Sequence, residues 1–87
     1  MERLEITLTN PEGLHARPAA IFVQVANKFY CDIEIEVNEK KVNGKSVIGI
    51  MSLGAFCGEK IIVTANGNDE KIAIKTIKEL LENGFKA

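Results

Sequence analysis

The 87 residues carry 11 Lys and Arg against 12 Asp and Glu, with one His, for a formal net charge of −1. A chain of that length is expected to close one small domain over residues 1–87, with no substrate cleft between domains, and its charge balance offers no basic face for direct nucleic-acid binding. No stretch reaches the roughly 20 apolar residues of a membrane span, and the N-terminus lacks the apolar run of a signal peptide, so a cytoplasmic protein without membrane insertion is expected.

In chain order, Leu4, Ile6 and Leu8 alternate with Arg3, Glu5 and Thr7, the period-two pattern of a half-buried strand. A loop through Gly13-Leu14-His15 then turns into a helix predicted from Ala16 to about Phe29, whose apolar stripe is Ala19, Phe22, Val23, Ala26 and Phe29. Cys31 to Val37 alternates more cleanly and reads as a second strand, pairing across a turn at Asn38-Glu39 with a weaker strand from Lys40 to Asn43. Acidic residues on the outer face of the second strand are then expected to face Lys40 or Lys41. Ser46 to Leu53 reads as a short helix, with Ser46 as N-cap and Gly54 as its stop. Within it Ile50 and Leu53 should point inward, leaving Val47, Ile48 and Met51 for the surface. Lys60 to Ala65 is β-prone, with Ile61, Val63 and Ala65 inward. The last helix is predicted from about Asp69 to Asn83, capped by Asn68 or Asp69 and stopped by Gly84, with Ala73, Ile77, Leu80 and Leu81 on its inner face.

Strands with one wet face favour an antiparallel sheet covered on a single side. The order β-α-β-β-α-β-α therefore predicts an α+β fold, a two-layer open-faced sandwich in which three helices cover one face of a four-stranded antiparallel sheet. Cys31 and Cys57 are far apart, fit no metal-ligand spacing and are expected to pack as small hydrophobes. No metal and no cofactor is called for.

The chemistry concentrates at His15. A phosphoryl acceptor needs an unprotonated nitrogen in line with phosphorus, with positive groups around the transferring oxygens. An imidazole is mostly neutral near pH 7, and a helix N-terminus disfavours its charged form further. Arg17 and the first-turn N–H groups of Ala16 and Arg17 would supply the positive field. Pro18 fits a first turn, where the missing N–H has no intrahelical partner. Spacing alone favours a plainer reading, in which His15 is an N-cap or packs half-buried against Leu14 and Arg17 is solvated.

The longer string Gly13-Leu14-His15-Ala16-Arg17-Pro18-Ala19-Ala20, with Lys45 to Gly54 and the spacing of the elements, resembles the histidine-containing phosphocarrier (HPr) family over essentially the whole chain. The resemblance implies a monomeric relay protein, not a stand-alone enzyme, of the phosphoenolpyruvate-dependent sugar phosphotransferase system. His15 would accept a phosphoryl group from phosphorylated enzyme I, at the Nδ1 nitrogen the family uses, and pass it to sugar-specific IIA components with Arg17 as active-site partner. It also implies that Ala20, Val47, Ile48 and Met51 meet these partners and an HPr kinase/phosphorylase.

In members from low-GC Gram-positive bacteria the serine matching Ser46 is phosphorylated by that kinase, and the product is a corepressor for a catabolite-control transcription factor. Two other readings remain: a regulatory binding protein without relay activity, and a phosphocarrier of a nitrogen-related branch. Asn38-Glu39 departs from the Asn-Gly common in the family's hairpin, so a turn demanding positive φ would strain Glu39.

Overall fold

Alternating side chains need a second layer to cover their apolar rows, and in the computed structural model, which describes residues 1–86, three helices provide it. The strands are β1 (Glu2–Thr7), β2 (Asp32–Val37), β3 (Lys40–Asn43) and β4 (Lys60–Asn66). The helices are α1 (Ala16–Ala26), α2 (Val47–Ser52) and α3 (Glu70–Glu82). All neighbouring strands are antiparallel, in the order β1-β4-β2-β3. The predicted α+β class and element order hold.

Register places Leu4, Val63, Ile35 and Val42 in one row across the sheet, on the face that meets the helices. Phe22, Leu14, Ile50 and Ile77 are fully buried above that face. The opposite face carries the row Glu5, Ile62, Glu36 and Lys41. Glu36 thus faces Lys41 in register, but the ion pairs on this face centre on Glu5, whose Oε2 lies 3.1 Å from Lys60 Nζ and whose Oε1 lies 3.3 Å from an Arg3 guanidinium nitrogen. The Lys60 hydrogen bond and charge hold the Glu5 carboxyl below its ordinary pKa.

Four local expectations need correcting. The first helix ends at Ala26, because Lys28 N and Phe29 N donate to carbonyls three residues back and tighten the chain out of α geometry. Phe29 still packs half-buried against the core. Asp69 occupies the N-cap of α3 without capping it: its carboxylate accepts from Tyr30 N at 2.8 Å and Cys31 N at 2.9 Å instead. The cap position is used to fasten the α1–β2 loop. Cys31 lies just before β2 and is buried as expected, with burial first among the causes that push its thiol pKa up, whereas Cys57 is exposed, its Sγ 3.6 Å from Thr9 O.

The helix stops behave as read. Gly54 has φ +62°, and Gly84, at +72°, opens a Schellman turn in which Gly84 N donates to Leu81 O and Phe85 N to Leu80 O. That turn returns Phe85 to the core at 4 % exposure. Asn38 and Glu39 both take positive φ, +51° and +69°, so the hairpin is a type I′ turn and Glu39 carries the strain.

The Asp69 carboxyl is held below its ordinary pKa, chiefly by the hydrogen bond from Tyr30 N. A folded-state pKa depressed in this way stabilises the fold above the unfolded value and loses that contribution as pH falls through the folded value. In urea titrations, the stability deficit of Asp69→Asn relative to the unsubstituted chain should be full at neutral pH, shrink below about pH 4 and be least at the acid end. A deficit independent of pH would contradict the carboxylate's role.

Candidate functional site

The site is built where two loops meet at one end of the sheet. β1 and β4 are antiparallel neighbours paired from Glu2↔Ala65 to Thr7↔Lys60, so the chain leaving β1 runs beside the chain entering β4. Leu8 N donates to Glu59 O at 2.9 Å and Gly58 N to Leu8 O at 2.8 Å, which extends the pairing into the loops. Leu14 N then donates to Ala55 O at 3.0 Å. Asn10, 5 % exposed, closes the first loop on itself: Asn10 Nδ2 donates to Gly13 O at 2.8 Å and Gly13 N to Asn10 O at 3.1 Å.

Gly13 is the close-approach residue. Its φ is +63°, and a Cβ there would stand 2.3 Å from Ala55 O and 2.9 Å from Phe56 Cα. No side chain fits between the two backbones.

His15 is the N-cap of α1, with extended φ −110° and ψ 157°, and it is half-buried. Its side chain makes no capping hydrogen bond, so the ring is not tied down as a plain N-cap would be. Its aromatic partner is Phe56, with ring centroids 5.5 Å apart and planes tilted by 46°. Ala16 follows at φ +35°, a region that a Cβ disfavours. The N–H groups of Ala16 and Arg17 find no acceptor among the described residues, as expected at positions without a preceding turn. Arg17 is exposed and, among the described residues, has no carboxylate within salt-bridge distance. It lines a shallow depression of about 190 Å³ shared with Glu12, Pro18, Ile21 and Phe85. Pro18 is buried in the first turn of α1.

Ser46 caps α2 through its side chain, Oγ accepting from Gly49 N at 3.0 Å. Lys45, beside it, donates from Nζ to Phe29 O at 2.6 Å and ties this loop to the end of α1. Ile50 is buried and Leu53 half-buried, as their spacing predicts. Ile48 is 82 % and Met51 42 % exposed, while Val47 and Ala20 are half-buried, so Val47 divides its surface between the core and the exterior. Among the described residues, no cluster of acidic, His or Cys side chains could hold a metal, and no helix is long and apolar enough to cross a membrane.

Comparison with known proteins decides the family. The model described as PTS HPr component phosphorylation site matches residues 3–83. The chain belongs to the HPr family. HPr from Thermoanaerobacter tengcongensis is 48 % identical, with a TM-score of 0.96 over 100 % of this chain and 98 % of that one. HPr from Bacillus anthracis is 41 % identical, with a TM-score of 0.88 over 92 % of this chain and 95 % of that one. The Bacillus subtilis catabolite repression protein Crh, described as a dimer with a swapping domain, is 37 % identical with a TM-score of 0.78, both chains being covered in full. The open-faced sandwich is thus the HPr fold, and the coarse function is that of an HPr phosphocarrier of the phosphotransferase system.

Reasoning from sequence missed Phe56, Asn10 and Glu59. Phe56 left one signal, a large apolar residue between Gly54 and Gly58 that no strand or helix pattern absorbs.

Gly13→Ala should destabilise the fold by roughly 2–3 kcal/mol, because positive φ and backbone overlap both oppose a Cβ. Urea unfolding midpoints measure this, and a loss under about 0.5 kcal/mol, typical of surface substitutions, would show that the loops separate freely.

Proposed function

We propose that His15 accepts a phosphoryl group from phosphorylated enzyme I and passes it to sugar-specific IIA components. The observation that carries this reading is the open anion site around the ring: among the described residues, two first-turn N–H groups have no acceptor and Arg17 has no carboxylate partner, all at the N-terminus of α1 beside an imidazole free of a capping bond. In loading, a neutral His15 nitrogen forms the bond to phosphorus while the bond from phosphorus to the donor breaks and its electron pair stays with the donor; in unloading, a nucleophile of the acceptor forms the new bond while the nitrogen–phosphorus bond breaks and its electron pair returns to the His15 ring. The other ring nitrogen keeps its proton. Arg17 and the N–H groups of Ala16 and Arg17 stabilise charge on the equatorial oxygens. The chain turns over no substrate alone; it is a cytoplasmic carrier within a relay, and no cofactor enters.

Ser46 supports a second, regulatory role. It stands at the start of α2 beside the exposed Ile48 and Met51, and the likeness to a catabolite repression protein favours control at this surface. An HPr kinase/phosphorylase would form a bond from Ser46 Oγ to the γ-phosphorus of ATP, with ADP leaving and the hydroxyl proton released. The ester oxygen still faces Gly49 N, so the added charge acts on docking by enzyme I and by a catabolite-control transcription factor more than on the fold. Ala20, Val47, Ile48 and Met51 form the proposed docking surface, and the working unit is a monomer, which sedimentation tests against the dimeric state described for Crh. Retention of His15 favours the relay over a purely regulatory protein.

Labelled phosphoenolpyruvate and enzyme I should place acid-labile label on the chain and none on His15→Ala; label that persists in the variant refutes the assignment. Arg17→Ala should slow labelling about 100-fold, with stability unchanged within about 0.5 kcal/mol. With ATP and the kinase, acid-stable label should appear and vanish in Ser46→Ala, which should also lose about 1 kcal/mol of stability with its cap.

A further inference from the structure

The ring of His15 must face a donor and later an acceptor, yet no hydrogen bond at its own N-cap orients it. An imidazole free to rotate would spend part of its time turned away from phosphorus, and each misorientation costs rate. The ring that meets it is Phe56, with centroids at 5.5 Å and a tilt of 46°, within the range of a favourable aromatic pair.

Phe56 does not hold this place by seeking the core, because it is 62 % exposed. Its backbone is fixed from both sides. Phe56 N donates to Glu59 Oε1 at 3.0 Å, and Glu59 N returns a bond to Phe56 O at 3.1 Å, closing a tight turn. On the other side, Gly13 lies so near that a Cβ would reach within 2.9 Å of Phe56 Cα, and the neighbouring Ala55 O accepts from Leu14 N. The aromatic ring therefore stands on a turn of the α2–β4 loop that is pressed against the loop carrying the histidine.

We propose that Phe56 is a positioning residue of the phosphoryl relay: by ring packing it holds the His15 imidazole where a capping hydrogen bond does not, and it covers one face of the phosphorylated ring against water. The inference rests on the relay reading of His15. Phe56 makes and breaks no bond. The nitrogen lone pair of His15 forms the bond to phosphorus, the donor leaves with its own electron pair, and Phe56 restricts the rotation that precedes this step. The same cover slows the competing reaction, in which water attacks phosphorus and the imidazole leaves with the electron pair of the nitrogen–phosphorus bond.

The test uses the full chain and its variants Phe56→Ala, Phe56→Leu and Phe56→Tyr. Three quantities are read: the NMR shifts of the His15 ring protons, the rate of labelling by enzyme I and labelled phosphoenolpyruvate, and the hydrolysis half-life of the phosphorylated chain after enzyme I has been removed. Phe56→Ala should shift the ring protons as the aromatic ring current is lost, slow labelling about three- to tenfold and shorten the half-life by a similar factor. Phe56→Tyr should restore all three, and Phe56→Leu should restore the half-life without the ring-current shift.

The half-life separates positioning from docking, since no partner is present when it is measured. Unchanged ring shifts, or an unchanged labelling rate and half-life, in Phe56→Ala would overturn the role of Phe56 while leaving the relay intact. Absence of label on the unsubstituted chain, or label retained by His15→Ala, would instead overturn the relay reading and this inference with it.

Discussion

The close approach of Gly13 to the Ala55–Phe56 backbone is the contact on which the site depends. It follows from strand order. Because β4 lies between β1 and β2, the exit of β1 and the entry of β4 share one end of the sheet, and antiparallel pairing continues past Thr7 and Lys60 until the two loops press together. A sheet with the same strands paired in sequence order would bury the same aliphatic residues, yet it would separate Gly13 from Ala55. The functional end is thus a product of topology, while stability is shared across the core.

Much of this was legible in the sequence because it repeats over short distances. Alternation in Leu4-Glu5-Ile6 and in Ile33-Glu34-Ile35 is a property of neighbours, so strand faces could be read without knowing their partners. Ser46, Gly54 and Gly84 announce helix ends through local chemistry, and His15 announces itself through the string around it. What could not be read depends on residues far apart. Asp69 looks like a cap, and it becomes a tether only because the fold brings Tyr30 and Cys31 to it across 38 or 39 positions of sequence. Phe56 reads as a stray apolar residue until β4 is placed beside β1. The apolar spacing runs past the end of α1 for a related reason: Phe29 satisfies the spacing of the helix while lying beyond it, since a tight turn can return a side chain to the same core.

Glu39 and Ala16, two of the four described non-glycine residues with positive φ, show that strain has different settings in this chain. Glu39 takes it in a hairpin tip whose shape is imposed by the pairing of β2 with β3, and it is a cost to stability at an exposed turn. Ala16 takes it between His15 and Arg17, at the first residue of α1. There the backbone conformation decides how the first N–H groups and the imidazole stand relative to one another, so the same kind of strain lies inside the geometry that an incoming anion would meet.

The proposed site therefore divides into a part set by the fold and a part left free. Loop pairing, the Gly13 contact and the ring of Phe56 fix the surroundings of His15 before any partner arrives, which lowers the ordering needed at the moment of transfer. Arg17 is different: exposed, and without a carboxylate partner among the described residues, it would have no ion pair to break before engaging phosphoryl oxygens in the proposed relay. A carrier must release its group as readily as it takes it. A guanidinium that reaches the phosphoryl group from solvent, beside an imidazole held by packing, can stabilise the transferring charge without burying it, and so favours passage in both directions over storage.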